Sequence, residues 1–147
     1  MSLLWVLFSF FVQASTDEGM IRLESFPSNA KTGCAIFRNK EALDSPPGSE
    51  VVFESVDQDK GFLKIGDKKI ELKKIDFATT VKHAKNYSEH FVSRDVKVAI
   101  HRSIQKVPYL PDGTGTEDNV EVSNVTLSIT RHGQTTTYTD LPGRCIH

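Results

Sequence analysis

The chain has 147 residues, with 18 Lys plus Arg against 19 Asp plus Glu and a formal net charge of −1. That length fits one domain, and the near balance of charge argues against a general nucleic-acid binder, which carries a strong basic excess. With 25% charged and 38% hydrophobic residues, the composition is that of a folded chain and not a disordered one.

The first 14 residues stand apart, with 11 apolar side chains and no charge. Leu3–Val12 (LLWVLFSFFV) is interrupted only by Ser9. It is too short for a bilayer, which needs about 20 apolar residues, but it suits the core of a secretory signal peptide. Val12-Gln13-Ala14 supplies the small residues of a cleavage site, although no Lys or Arg precedes the run. The alternative is a buried N-terminal strand or helix. The expectation is therefore a signal peptide over 1–14, one β-rich domain over 15–147, and a secreted or periplasmic location. No later stretch is long and apolar enough for a membrane helix.

Chain order then gives short alternating runs between turn residues, the pattern of an antiparallel all-β domain. Met20–Phe26 alternates, with Ile21 and Leu23 on one face and Arg22 and Glu24 on the other. Cys34–Arg38 is a short apolar run. Pro46-Pro47-Gly48 marks EALDSPPGSE as a loop, because proline cannot donate to a ladder. Glu50–Val56 is the next strand. Gly61–Ile75 reads as a hairpin, and pairing Ile65 with Ile70 sets Leu63 opposite Leu72 and Lys64 opposite Glu71. A tighter turn at Gly66-Asp67 would place Lys64 against Lys69, so the first register is expected. Thr79–Asn86 suits one or two helical turns. Ser88–Ser93 and Asp95–Ile104 follow as strands, the latter with Val96, Val98 and Ile100 on one face. A last hairpin runs from Val120 to Leu141 around His132-Gly133, and its first strand needs a bulge near Ser123-Asn124 to keep one apolar face. About eight strands on one small core, with at most a minor helical turn, predict a small antiparallel β-barrel or β-sandwich.

Cys34 and Cys145 are the only cysteines, and in an oxidising compartment a lone pair is most simply a disulfide. The bridge would close a loop of 112 residues. A catalytic thiol is the competing reading, disfavoured by the position of Cys145 two residues from the end. Signatures of other chemistry are missing: there is no G-x-S-x-G, H-E-x-x-H, C-x-x-C or phosphate-cradling glycine loop. The five histidines do not share ligand spacing within an element, so neither a metal nor a cofactor is implied. Ser88-Glu89-His90 holds the residue types of a hydrolytic triad, but on a strand Glu89 points away from the other two.

Charge is unevenly placed: residues 60–85 carry a net +5 and residues 40–59 a net −5. The lysines read either as protection against edge-to-edge pairing or as a bipolar surface for a charged partner, with Lys64 and Lys73 as candidate contacts. In the last hairpin Thr130 would oppose Thr135, Ser128 Thr137 and Thr126 Thr139, an exposed hydroxyl face for which a sugar, ice or mineral ligand is the minor reading. Asn86-Tyr87-Ser88 and Asn124-Val125-Thr126 match the N-glycosylation pattern.

The longest connection, Lys106–Asn119 (KVPYLPDGTGTEDN), sets Tyr109 and Leu110 between prolines and follows them with Asp112 and an acidic, glycine-rich half. Such loops are often functional, and Tyr109, Leu110 and Asp112 are candidate binding residues. The alternatives are a plug over one end of the barrel and a calcium site, for which the D-x-[DN]-x-[DN]-G spacing is absent. One disulfide, short strands and one long loop resemble the layout of small periplasmic inhibitor and immunity proteins such as the lysozyme inhibitors. That resemblance implies a non-catalytic domain binding a protein partner; charge balance speaks against nucleic acid and hydropathy against a membrane span, and oligomeric state stays open. An extracytoplasmic hydrolase or metal enzyme assembled from separate strands, and a structural part of an envelope assembly, are the other classes.

Overall fold

The structure is a computed structural model that describes residues 21–28, 33–44, 50–57, 59–75, 86–106 and 120–146. Two short N-terminal strands, β1 (Leu23–Glu24) and β2 (Phe26–Pro27), precede β3 (Gly33–Ile36) and the one-turn helix α1 (Lys40–Leu43). Next come β4 (Glu50–Val51), β5 (Phe53–Val56), β6 (Lys60–Ile65) and β7 (Lys68–Lys74). The longer strands β8 (Asn86–Val92), β9 (Val96–Lys106), β10 (Val120–Arg131) and β11 (Gln134–Ile146) follow.

β3, β5, β6, β7, β8, β9, β10 and β11 pair antiparallel in sequence order, and β11 returns to β3. The result is a closed eight-stranded up-and-down barrel, which settles barrel over sandwich. The ring closes where Cys145 stands opposite Cys34, and these two are disulfide-bonded with a Cα–Cα distance of 4.0 Å. β1 continues the line of β5 along the far end of β6, with Leu23 opposite Ile65 and Glu24 opposite Lys64.

Strand alternation fills the interior. Ile36, Phe53, Leu63, Phe91, Ile100 and Leu127 are buried there, with Phe53 and Phe91 edge to face at 5.1 Å. Each such side chain contributes roughly 1.5–3 kcal/mol on leaving water. A second cluster, Phe26, Phe37 and Val51, lies apart from this core, and Leu43 of α1 and Phe62 of β6 pack against it. Asn39 caps α1, its side chain accepting from the Ala42 amide at 2.8 Å.

Several expectations change. The EALDSPPGSE stretch is not loop from its start, because Glu41–Leu43 belong to α1; residues 45–49 lie outside the described residues. Glu50–Val56 is split at Val52, whose neighbours pair in different directions: β4 with β2, and β5 with β3. The β6–β7 hairpin takes the tighter register, Leu63 opposite Ile70 and Lys64 opposite Lys69. The turn decides it. Gly66 has φ +56 at the first turn position, where a two-residue type II′ turn needs glycine, and this register still keeps Leu63, Ile70 and Leu72 on the inner side. Lys69 is drawn aside, its Nζ lying 4.8 Å from the Phe26 ring and 5.1 Å from the Phe62 ring.

In the last hairpin the turn is His132-Gly133, at φ 51 and 77, as expected. β10 itself keeps phase, with Ser123, Val125, Leu127 and Ile129 all buried. The irregularities fall on its neighbours instead. β9 carries an extra residue at Gln105, and β11 accommodates another at Thr139-Asp140, where Asp140 has φ 56. Thr126 therefore has no partner in Thr139. The helical expectation for Thr79–Asn86 lies outside the described residues except at Asn86, which opens β8.

Candidate functional site

Two places concentrate charge. The first is inside one end of the barrel, the end at which residues 76–85 and 107–119 join the strands. Parity along β8 sends Glu89 inward between Tyr87 and Phe91, and parity along β9 sends Arg102 inward after Val98 and Ile100. Arg102 is 0% exposed, and its Nε donates to Glu89 Oε1 at 2.7 Å. Lys74 Nζ donates to the other oxygen, Oε2, at 3.1 Å. Burial would raise the Glu89 carboxyl, but Arg102 and then Lys74 outweigh it through charge and hydrogen bonds and hold it below its ordinary range. Tyr87 donates to Glu121 Oε1 at 2.8 Å and lies 3.9 Å from Cys145 Sγ. Burial first of all, and also the Glu121 carboxylate, push its hydroxyl pKa well up.

Arg102 was legible by parity, since it continues the even, apolar face of β9. Its residue type points the other way, because an arginine in a strand is usually solvated. Glu89 stands out in the sequence only as the middle of the Ser88-Glu89-His90 tripeptide. The structure separates that tripeptide: Glu89 is buried while Ser88 and His90 are exposed on the outer face. Ser88 Oγ instead meets His101 Nδ1 at 3.0 Å across the strand pair.

The second concentration is the outer face of the β6–β7 hairpin. Lys60 stands opposite Lys73, and Lys64 opposite Lys69. Lys64 has Glu24 across β1 on its other side, whereas Lys60 and Lys73 are flanked by Val56 and Val92. Glu71 lies between the two lysine pairs, opposite Phe62. The structure thus brings Lys64 and Lys73 onto one face; Tyr109, Leu110 and Asp112 lie outside the described residues. On the hydroxyl face, Thr130 and Thr135 meet at 2.7 Å and Ser128 and Thr137 at 3.0 Å. Of the two sequons, Asn86 is exposed, and Asn124 Nδ2 donates to Asp140 Oδ1 at 3.3 Å. Among the described residues no group of three or more His, Cys, Asp or Glu side chains is placed to hold a metal ion, and no helix is long and apolar enough to cross a membrane.

Comparison of the chain with protein-family models, with curated proteins and with solved structures finds no match.

Proposed function

We propose that the chain is a non-catalytic binding protein of the extracytoplasmic space, of the inhibitor or immunity type, that docks an acidic protein partner on the lysine face of β6–β7. The observation that carries this reading is the pairing of Lys60 with Lys73 inside a closed ring. Like charges directly opposite destabilise a strand pair. Protection against edge-to-edge association does not account for this pair, because Lys60 is paired on its other side with Val56 and Lys73 with Val92. A face kept at this cost, with Lys64 and Lys69 one pair further along and the half-buried Phe62 ring between the pairs, suits a partner whose carboxylates would neutralise it. The disulfide fits an oxidising compartment.

The test is capture of partners from extracytoplasmic extract on the immobilised protein, with cross-links mapped by mass spectrometry. Cross-links should fall on Lys60, Lys64 and Lys73, and the association rate should drop steeply with added salt. A Lys60→Glu, Lys73→Glu variant should lose the same partner. Loss of that partner in a Tyr109→Ala, Leu110→Ala variant, with the lysine variant unaffected, would move the site to the long connection and overturn this reading. Retention of a polyphosphate or sulfated glycan in place of a protein would overturn the choice of partner.

A further inference from the structure

The guanidinium of Arg102 is engaged on one side only. Its Nε is taken by Glu89, but Nη1 and Nη2 are buried without a hydrogen-bond partner among the described residues, and so is Ser123 Oγ on the neighbouring strand. Buried polar groups are almost always paired, and an unpaired one costs ~1–3 kcal/mol, more when charged. Arg102 does not form the usual side-on fork with this carboxylate: only its Nε reaches Glu89, at Oε1, while Oε2 accepts from Lys74.

These orphaned donors lie together. A Cβ on Gly143 would come within 2.7 Å of Ser123 Oγ and 3.1 Å of Arg102 Nη1, so both side chains crowd the same bare stretch of β11 backbone. Any other residue at 143 would displace them. Within the Lys74–Glu89–Arg102 cluster two cations share one carboxylate. Glu121, the other carboxylate nearby, is engaged by the Tyr87 hydroxyl and has a further interaction of its own. The unmet chemistry is therefore a set of donors without acceptors, with the two ends of a cationic planar fork unpaired.

We infer that this end of the barrel binds a small monocarboxylate, held by Nη1 and Nη2 of Arg102 and by Ser123 Oγ. A planar, two-oxygen acceptor matches the fork, as a spherical ion does not. The inference is independent of the lysine face, which lies on the outside of β6 and β7.

Formate is the probe, titrated calorimetrically into the intact, oxidised protein, with chloride exchanged for it at constant ionic strength. Saturable binding of one formate per chain is expected, with chloride binding at least tenfold more weakly. Ser123→Ala removes one charge-assisted hydrogen bond and should weaken formate by about tenfold while leaving the fold intact by circular dichroism. Arg102→Lys, which keeps the charge and loses the fork, should abolish the preference for formate over chloride. The inference is overturned if formate shows no saturable binding, which would leave water as the partner of these donors. Equal binding of chloride and formate, or unaltered formate binding in Ser123→Ala, overturns it too; the serine variant decides the matter even if the arginine variant does not fold.

Discussion

Glu89 shows how one inward position sets a pH dependence. Its carboxylate holds two cationic donors, and protonation would release both. Burial, which by itself would raise its pKa, is overcome by Arg102 and Lys74, so the folded value lies below the ordinary 4.5. A carboxyl depressed by folding contributes stability that is complete above its unfolded pKa and is lost as the pH falls through the folded value. Glu89→Gln should therefore cost about 3 kcal/mol at pH 7, because a buried cation loses its counter-charge. The gap from the unmodified protein should narrow as the pH is taken below 4.5. Urea unfolding midpoints at a series of pH values check this, and a gap of constant size would mean that the charge of Glu89 is not what stabilises the barrel. The inward parity of Glu89 and Arg102 could be read from the sequence. Their pairing could not, since Tyr87, not Glu89, is the residue directly across from Arg102.

At the scale of the element, the β6–β7 hairpin shows turn geometry overruling charge. Cross-strand pairing of Lys64 with Glu71 is the better arrangement electrostatically, and the sequence pattern favours it. A two-residue turn with glycine at its first position fixes the register one step tighter, and the inward Leu63, Ile70 and Leu72 are served by that register as well. Apolar alternation alone leaves both registers open; what separates them is the backbone of Gly66, which periodicity does not report. Two outcomes follow. Gly66→Ala should destabilise by about 1 kcal/mol, since its φ of +56 is unfavourable for any residue with a Cβ. Lys73→Glu should move stability the other way, by about 0.2–1 kcal/mol, by placing an acid opposite Lys60. Chemical denaturation measures both. A loss of stability in Lys73→Glu would show that the lysine pair is not repulsive, and would remove the ground for reading that face as a docking surface.

For the whole molecule, the decisive contact is the one between the first and last strands of the ring. Every other neighbour in the barrel is also the next barrel strand in sequence, so those pairings close far smaller loops, as hairpins or across longer connections. The β3–β11 seam alone joins the two ends of the fold, over a sequence separation of 111 at the disulfide. Alternation along the chain announces strands but not whether the first meets the last, which is why barrel and sandwich look alike in sequence. The two cysteines near opposite ends of the β-rich part were the signal that they do meet. β3 pairs with β11 over only four residues, a short join that no hairpin connection holds together, and the bridge sits across it. On the chain-entropy account, a loop of that length gives ~4–5 kcal/mol of stabilisation. A Cys34→Ala, Cys145→Ala variant should lose that amount in equilibrium unfolding. In native-state hydrogen exchange, the amides of residues 33–37 and 143–146 should lose protection first, while the β9–β10 pair stays slow. Uniform loss of protection around the ring would mean that the barrel opens only as a whole, and that the disulfide stabilises it through the unfolded chain and not at the seam.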